Sequence, residues 1–354
     1  SMFFEACLNL ADMLEAAGDE EKAELWRKTA RTLRANTNRW LWQDEKGFFR
    51  VHIHLDSMEH DFDEGNMFAM GGNTLAVLSG LASEQQARRI IHVALRRQEA
   101  YRVSTISGTL LPPYPRGLFK HPLCDDPYEY QNGAQWDWFG GRLVYAMFTH
   151  GFSQRGREKL LEIARKNIGN RGFFEWDTRE GAGRGSPFFA GSTGSLAMAL
   201  IQGYFGITLG KEGLTLEPRL GRDSGEIHVD VPAGDLFAAY IYDYDHGEDR
   251  IRFAVNSNSQ ALKTVRLLNL WRETIDAGEA RPSLACVWEE GKKAFLTRER
   301  KGEDELLVLE ITPEEYNQTL EAAPVDGRIR KESDRGNSPN RDQGSGKWRD
   351  SGRR

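Results

Sequence analysis

A mainly α chain in two unequal parts is what this sequence predicts: helical hairpins over residues 1–207, then a smaller C-terminal antiparallel β-sandwich domain over residues 208–321. Three observations predict it. Apolar residues recur at helical spacing through the first two hundred positions. Short turns alternate with long connections between those helices. After Ile207 the pattern changes to short runs of β-branched and aromatic residues separated by Gly, Asp and Asn. The length of 354 residues also exceeds the roughly 250–300 at which a single core stops growing, so two domains are expected.

The first hairpin opens with Phe3, Cys7, Leu10, Ala11 and Leu14 on one stripe and returns on Ala23, Leu25, Trp26, Ala30 and Leu33. Only "AAGDEE" lies between them, with Asp19 placed to cap the second helix. The unit recurs. Met67 to Leu78 and Gln85 to Leu95 are joined by "SGLASE", Trp138 to Thr149 and Arg157 to Asn167 by "HGFSQRG", and Ser192 to Tyr204 begins a further helix. "GLTLEPRL", "GEIHVDVPAG", "LFAAYIYDYD", "DRIRFAVNSN", "KTVRLLNL", "KAFLTRE" and "ELLVLEITP" then read as strands. Residues 322–354 carry many charges and almost no core-forming side chains, so a disordered tail is expected there.

Composition narrows the function. A formal net charge of -6 gives no electrostatic reason to expect nucleic acid or an anionic membrane as partner. The sequence has no bilayer-length apolar run and no signal-peptide pattern, which points to a cytoplasmic chain. Cys7, Cys124 and Cys286 show neither CxxC nor Cys/His spacing, so a disulfide framework and a zinc site are both disfavoured, and no metal or cofactor is expected. The chain starts inside helical periodicity, which suggests a piece cut from a longer protein.

The chemistry concentrates in the long connections, residues 41–66, 99–134 and 169–191. If the hairpins stack side by side, these loops share one end of the helical layer. That end would display His54, Asp63, Arg116, Tyr130, Asn132, Gln135, Trp136, Asp137 and Glu175. Aromatics mixed with carboxylates and amides suit a sugar, whose C–H faces lie on rings and whose hydroxyls need polar partners. The other reading is that the aromatics are core at the loop bases. Glu175 stands between Phe174 and Trp176, ahead of glycines at 181, 183 and 185 that would let the backbone close over a sugar. Its alternative is an ion pair with Arg171 or Arg184. Ser192, Thr193 and Ser195 read as helix-packing residues.

The order of helical hairpins, "YQNGAQWDW", "GFFEW" with its glycine-rich loop, "GYFGI" and "GLTLEPRL" resembles the later half of the six-hairpin (α/α)6-barrel glycosidases, over most of residues 1–220. Trehalases, processing glucosidases, glycogen-debranching α-glucosidases and cellobiose phosphorylases belong to that group. The resemblance implies a partial (α/α)6 toroid of helical hairpins, an inverting hydrolase of glucosides or oligosaccharides, and Glu175 as the base that activates water. Asn132, Gly133 and Trp136 match an Asn-Gly-Trp stretch beside the sugar pocket, with an insertion. Trp138, Gln135, Tyr130, Trp176, Arg116 and His54 complete the expected binding set. The general acid of such relatives precedes the hairpin at residues 3–40, so it is missing here or replaced by Asp137 or Asp63. Two alternatives stay open: a phosphorylase using Arg116, Arg171 or Arg184 for phosphate, and a carbohydrate-binding fragment without an acid. An incomplete barrel would expose an apolar edge, for which a missing N-terminal half or a second copy is the expected partner.

Overall fold

Helical periodicity sets the first half of the molecule. In the computed structural model, α1 (Met2–Ala16) and α2 (Glu20–Leu41) pack as an antiparallel pair, and the Asp19 carboxylate accepts a hydrogen bond from the Lys22 amide at 3.2 Å as the cap of α2. The structure describes residues 1–55, 61–210, 213–230, 237–247, 250–256, 262–268, 284–289, 297–301 and 304–311. The tail expected at 322–354 lies outside them. The next pairs are α3 (Met70–Leu78) with α4 (Glu84–Ala100), and, beyond the short α5 (Pro122–Asp125), α6 (Asp137–Thr149) with α7 (Ser153–Asn170). The last helix, α8 (Ala190–Met198), runs on as a π-helical turn through Ala199–Tyr204. One core runs through all the hairpins and includes Cys7, Ala30, Ile90, Leu143, Phe148, Ile163 and Leu196. Gly141 is the close-approach point of α6 on α8. A β-carbon there would sit 2.7 Å from the backbone of Ser195.

The start of α3 differs from the expected Met67. Glu64–Asn66 form a 3₁₀ turn, and β3 (Phe68–Ala69) is drawn into antiparallel pairing with β4 (Leu110–Leu111), so helix begins only at Met70. The other small pairs are β1 (Trp42–Gln43) with β2 (Phe48–Phe49), and β5 (Trp176–Asp177) with β6 (Gly183–Arg184). The long connections are therefore laced together, as their expected common location requires. Gly108 bridges Gln135, Gln135 bridges Asp177, and the Ser104 amide donates to the Arg179 carbonyl. Phe48 and Phe49 are buried, so part of the loop aromatic content is core.

Beyond the π turn the chain becomes β. Strands β7 (Ile207–Gly210), β8 (Gly213–Leu216), β12 (Leu262–Leu268) and β13 (Leu284–Glu289) form one sheet in the order β13-β12-β8-β7. Strands β9 (Gly225–Asp230), β10 (Phe237–Asp245), β11 (Arg250–Asn256), β14 (Thr297–Lys301) and β15 (Asp304–Ile311) form a second, fully antiparallel sheet in the order β14-β15-β11-β10-β9. The expected all-antiparallel pattern fails at one pairing, β8 with β12, which run parallel. These two strands are separated in the chain by strands of the other sheet, and a connection that long permits either direction. Leu214 and Leu216 from the first sheet share a core with Tyr240, Tyr242, Phe253 and Val255 from the second. Arg219 donates to the carbonyls of Gln202 and Gly203, and Arg157 pairs with Asp223, fastening this region to the helices.

A groove of about 940 Å³ opens along α7 and α8, lined by Ile168, Phe173, Phe188 and Leu196 among others. Ile168 is 76% and Phe188 85% exposed, so this edge of the helical layer is apolar and open.

Candidate active site

Glu175 leaves α7 through a left-handed Arg171, whose φ of 57° turns the chain back along the loop. The Glu175 amide donates to the Ser186 carbonyl at 2.8 Å, and the next two residues pair with β6. Trp176 and Asp177 are buried while Glu175 is half-buried. Among the described residues no ion pair or side-chain hydrogen bond engages the Glu175 carboxylate, and the pairing with Arg171 or Arg184 that the sequence left open is not formed. The glycines do something other than clear a path for a sugar. A β-carbon at Gly181 would meet Ser104, at Gly183 the Phe174 ring, and at Gly185 the Glu175 carboxylate itself, 2.6 Å from Oε2. The room they leave is filled by the protein's own side chains, and Gly185 (φ +68°) is the seat on which Glu175 rests.

Beside Glu175 stands an aromatic cluster. Tyr130 lies edge-on to Trp136 at 5.2 Å and to Trp176 at 6.1 Å, and Phe189 closes on Trp136 at 6.1 Å. The Trp136 indole N–H donates to the Tyr130 carbonyl at 3.0 Å, which holds Tyr130 in its left-handed backbone position (φ 43°). Burial, and after it the charge of Glu175, pushes the Tyr130 phenol above its ordinary pKa. Tyr130, Trp136 and Trp176, expected at one end of the helical layer, thus pack together, and Glu175 directly precedes Trp176. Trp136 and Trp176 are both buried, so the cluster offers edges and the Tyr130 ring rather than open indole faces.

Three other expected site residues are the scaffold beneath. Gln135 is fully buried; its Oε1 accepts from the Thr105 amide (2.8 Å) and hydroxyl (2.6 Å), and its Nε2 donates to the carbonyls of Thr178 and Arg179. Asn132 is used by Tyr114, accepting from its amide at 2.7 Å and donating to its carbonyl at 3.1 Å. Asp137, in the first turn of α6, is 1% exposed. It accepts from the Ser107 hydroxyl (2.7 Å), Lys166 Nζ (2.9 Å) and Asn167 Nδ2 (2.6 Å). A carboxylate so enclosed has no path to a glycosidic oxygen, and the acid role proposed for it from sequence does not fit this position.

The remaining expected residues sit apart. Trp138 is half-exposed on α6 with the Arg142 guanidinium 4.7 Å over its ring. Arg116 is ion-paired with Asp126 on an exposed loop, an engagement that also competes with any phosphate role. Asp63 is exposed and paired with Lys46 at 3.1 Å. It precedes the 3₁₀ turn without donating a side-chain cap. His54 belongs to a separate cluster with His52 and Glu64.

Sequence reasoning missed Asp177 and Lys166. Lys166 on α7 touches both Asp137 and Asp177, and the Asp177 carboxylate also accepts from Asn170 Nδ2 at 3.0 Å. One ammonium faces two carboxylates. Burial raises the Asp177 carboxyl to about 6, Lys166 opposes that rise and the charge of Asp137 adds to it. The signal was a second acid two residues after Glu175 and a lysine on the preceding helix, neither of which has a local pattern.

Residues 1–192 match the family model for the mannosylglycerate hydrolase MGH1-like glycoside hydrolase domain. Solved structures similar to the chain include a GH63 mannosylglycerate hydrolase from Thermus thermophilus, crystallised with Tris and D-glycerate. It is 18% identical with a TM-score of 0.39, over 56% of this chain and 43% of that one. A GH78 family rhamnosidase of Bacillus sp. GL1 is also similar, 18% identical with a TM-score of 0.44, over 69% of this chain and 23% of that one. The chain therefore spans less than half the length of these relatives. No curated protein matches it in sequence.

Proposed function

The chain belongs to the mannosylglycerate hydrolase MGH1-like glycoside hydrolase family, and from that premise we propose that Glu175 is the general base of an inverting glycosidase whose pocket is floored by Tyr130, Trp136 and Trp176. The observation that carries the reading is the state of Glu175. It is half-buried, unpaired among the described residues, seated on Gly185 and next to an aromatic cluster. A base must be reachable by water and fixed in place, and those features meet both needs. In this reading the hairpins are part of an (α/α)6 toroid, with the interlaced long loops as its sugar-facing end and the two sheets as a β-sandwich packed on it.

Inversion also needs a carboxylic acid about 6.5–9.5 Å from the base. Asp137 is held by three donors and Asp63 by Lys46, so neither is assigned as that acid. The substrate class is a short glycoside, either a glucoside of the trehalose or maltodextrin kind or a mannosylglycerate-like compound.

The test is hydrolysis of gluco-disaccharides, maltodextrins and mannosylglycerate by the chain and by Glu175→Gln, with the anomer of the released sugar followed by NMR. Turnover with inversion, reduced about 10²–10⁴-fold by the substitution, is the expected result. Equal turnover by both proteins or retention of configuration would refute the assignment, and no turnover by the folded wild type would favour a carbohydrate-binding fragment that lacks its acid.

A further inference from the structure

His52 and His54 lie two residues apart after β2, and their imidazoles meet, with ring centroids 4.5 Å apart. Glu64, at the head of the 3₁₀ turn Glu64–Asn66, faces them. Arg97 fixes that turn by donating to both the carbonyl and the side-chain oxygen of Asn66. The result is a triangle of ligand atoms: His52 Nε2 to His54 Nε2 is 3.0 Å, His54 Nε2 to Glu64 Oε2 is 2.8 Å, and His52 Nε2 to Glu64 Oε2 is 3.2 Å. The rings meet nearly at right angles, 89°.

Protons alone do not account for this triangle. An imidazole nitrogen carries either one hydrogen or one lone pair, never both. A hydrogen that serves the nitrogen–nitrogen edge cannot also belong to the edge between that nitrogen and the carboxylate. In every protonation state, then, at least one edge shares a hydrogen or sets like against like. A cation inside the triangle satisfies all three at once.

We propose that His52, His54 and Glu64 form a binding site for a divalent first-row transition metal of the zinc type. Tetrahedral zinc with ligand bonds of about 2.0–2.1 Å separates its ligands by about 3.3 Å, so the observed edges need open by only a few tenths of an ångström. Two imidazoles and one carboxylate select zinc and its neighbours over magnesium or calcium, which prefer all-oxygen shells. The described residues supply three ligands, and His52, the most exposed of them at 41%, lies on the solvent side. Glu64 is oriented from behind, since the Tyr114 hydroxyl donates to its Oε1 at 2.6 Å. Tyr114 is in turn the residue clasped by Asn132, so the metal would tie the residue 52–54 segment to the loop that carries Tyr130. The site is independent of the glycosidase reading.

The test uses the full chain, stripped with a chelator and titrated with Zn²⁺ by calorimetry, with Co²⁺ as a visible-absorption probe of coordination number. One Zn²⁺ per chain and the intense visible bands of four-coordinate Co²⁺ are expected. His54→Ala and His52→Ala should weaken binding by more than a hundredfold, Tyr114→Phe by about 10–100-fold, and His228→Ala not at all. His52 is exposed, so its removal leaves the fold intact, which circular dichroism checks. A chain with no saturable site, or His52→Ala and His54→Ala proteins that bind like the wild type, would overturn the proposal. No sugar enters the experiment, so its failure is distinct from failure of the Glu175 assignment.

Discussion

Replacing Asp177 by Asn should change how stability depends on pH. In the folded chain the Asp177 carboxyl is raised from an ordinary value of 3.8 to about 6, because burial outweighs the attraction of Lys166 and the neighbouring Asp137 adds to the rise. At about 1.4 kcal/mol per pKa unit that displacement corresponds to about 3 kcal/mol. Between pH 4 and 6 the folded state keeps a proton that the unfolded state has released, so this group's contribution is largest at low pH and falls as pH rises through 6. Asn cannot titrate. Unfolding by urea at pH 4.5, 5.5, 6.5 and 7.5 should therefore show the stability of Asp177→Asn rising relative to wild type, by about 2 kcal/mol from the lowest pH to the highest. Carboxylates held low by partners, such as Asp44 by Arg89, slope the other way in both proteins and cancel in the difference. A flat difference, or one that falls with pH, would mean that Lys166 wins over burial at Asp177 and would refute the reasoning.

Lys166→Met leaves two buried carboxylates with no cation and should destabilise by about 3–5 kcal/mol at pH 7, with part of the loss recovered at pH 5 where a proton replaces the ammonium; thermal melts at the two pH values check it. Gly185→Ala places a β-carbon 2.6 Å from Glu175 Oε2 at a φ of +68°. It should cost about 1–2 kcal/mol in strain and lower turnover about 10–100-fold through displacement of the carboxylate, while Gly194→Ala, with nothing within 4 Å, leaves turnover unchanged in the same assay. Ser83→Ala removes the capping box of α4, in which Ser83 and Gln86 satisfy each other's amides, and should lower stability by about 1 kcal/mol in urea unfolding.

Helical elements were legible because a period of 3.6 residues is a local property. Asp19, the three hairpins and the change of character at Ile207 could all be read from short windows. Contacts between distant segments erased that legibility elsewhere. Met67 to Ala69 continue an apolar helical stripe, yet Phe68 and Ala69 pair with Leu111 and Leu110, and nothing near residue 68 announces a partner forty positions away. The amides show the same limit from the side of chemistry. Asn132 and Gln135 have the right groups for sugar hydroxyls, but long loops packed on one another bury backbone N–H and C=O groups that lack a ladder. Those groups are met by the amide side chains at hand. The aromatic and glycine surroundings of Glu175 were legible because those neighbours are close in sequence. Lys166 did not, because its partners stand 11 and 29 residues away.

The charge surplus under Glu175 bears on why the site is built as it is. Two acids and one lysine in a buried triad are a poor way to gain stability, since each ion gives up its hydration and one negative charge lacks a counterpart. What the triad does supply is registration. Asp137 begins α6, Lys166 lies on α7 and Asp177 is two residues after Glu175, so one ammonium fixes the relative placement of two helices and the strand that follows Glu175. Gln135 and Asp177 then exchange backbone hydrogen bonds at 2.9 and 2.8 Å, which locks the Trp136 segment to that same strand. An apolar core at these positions would pack at least as well, but it would permit sliding of a fraction of an ångström, and catalysis by a positioned carboxylate tolerates little of that. The arrangement trades stability near neutral pH for position. A variant carrying Lys166→Met and both acids replaced by Leu should on this account recover stability lost in Lys166→Met alone, without recovering the turnover that depends on Glu175.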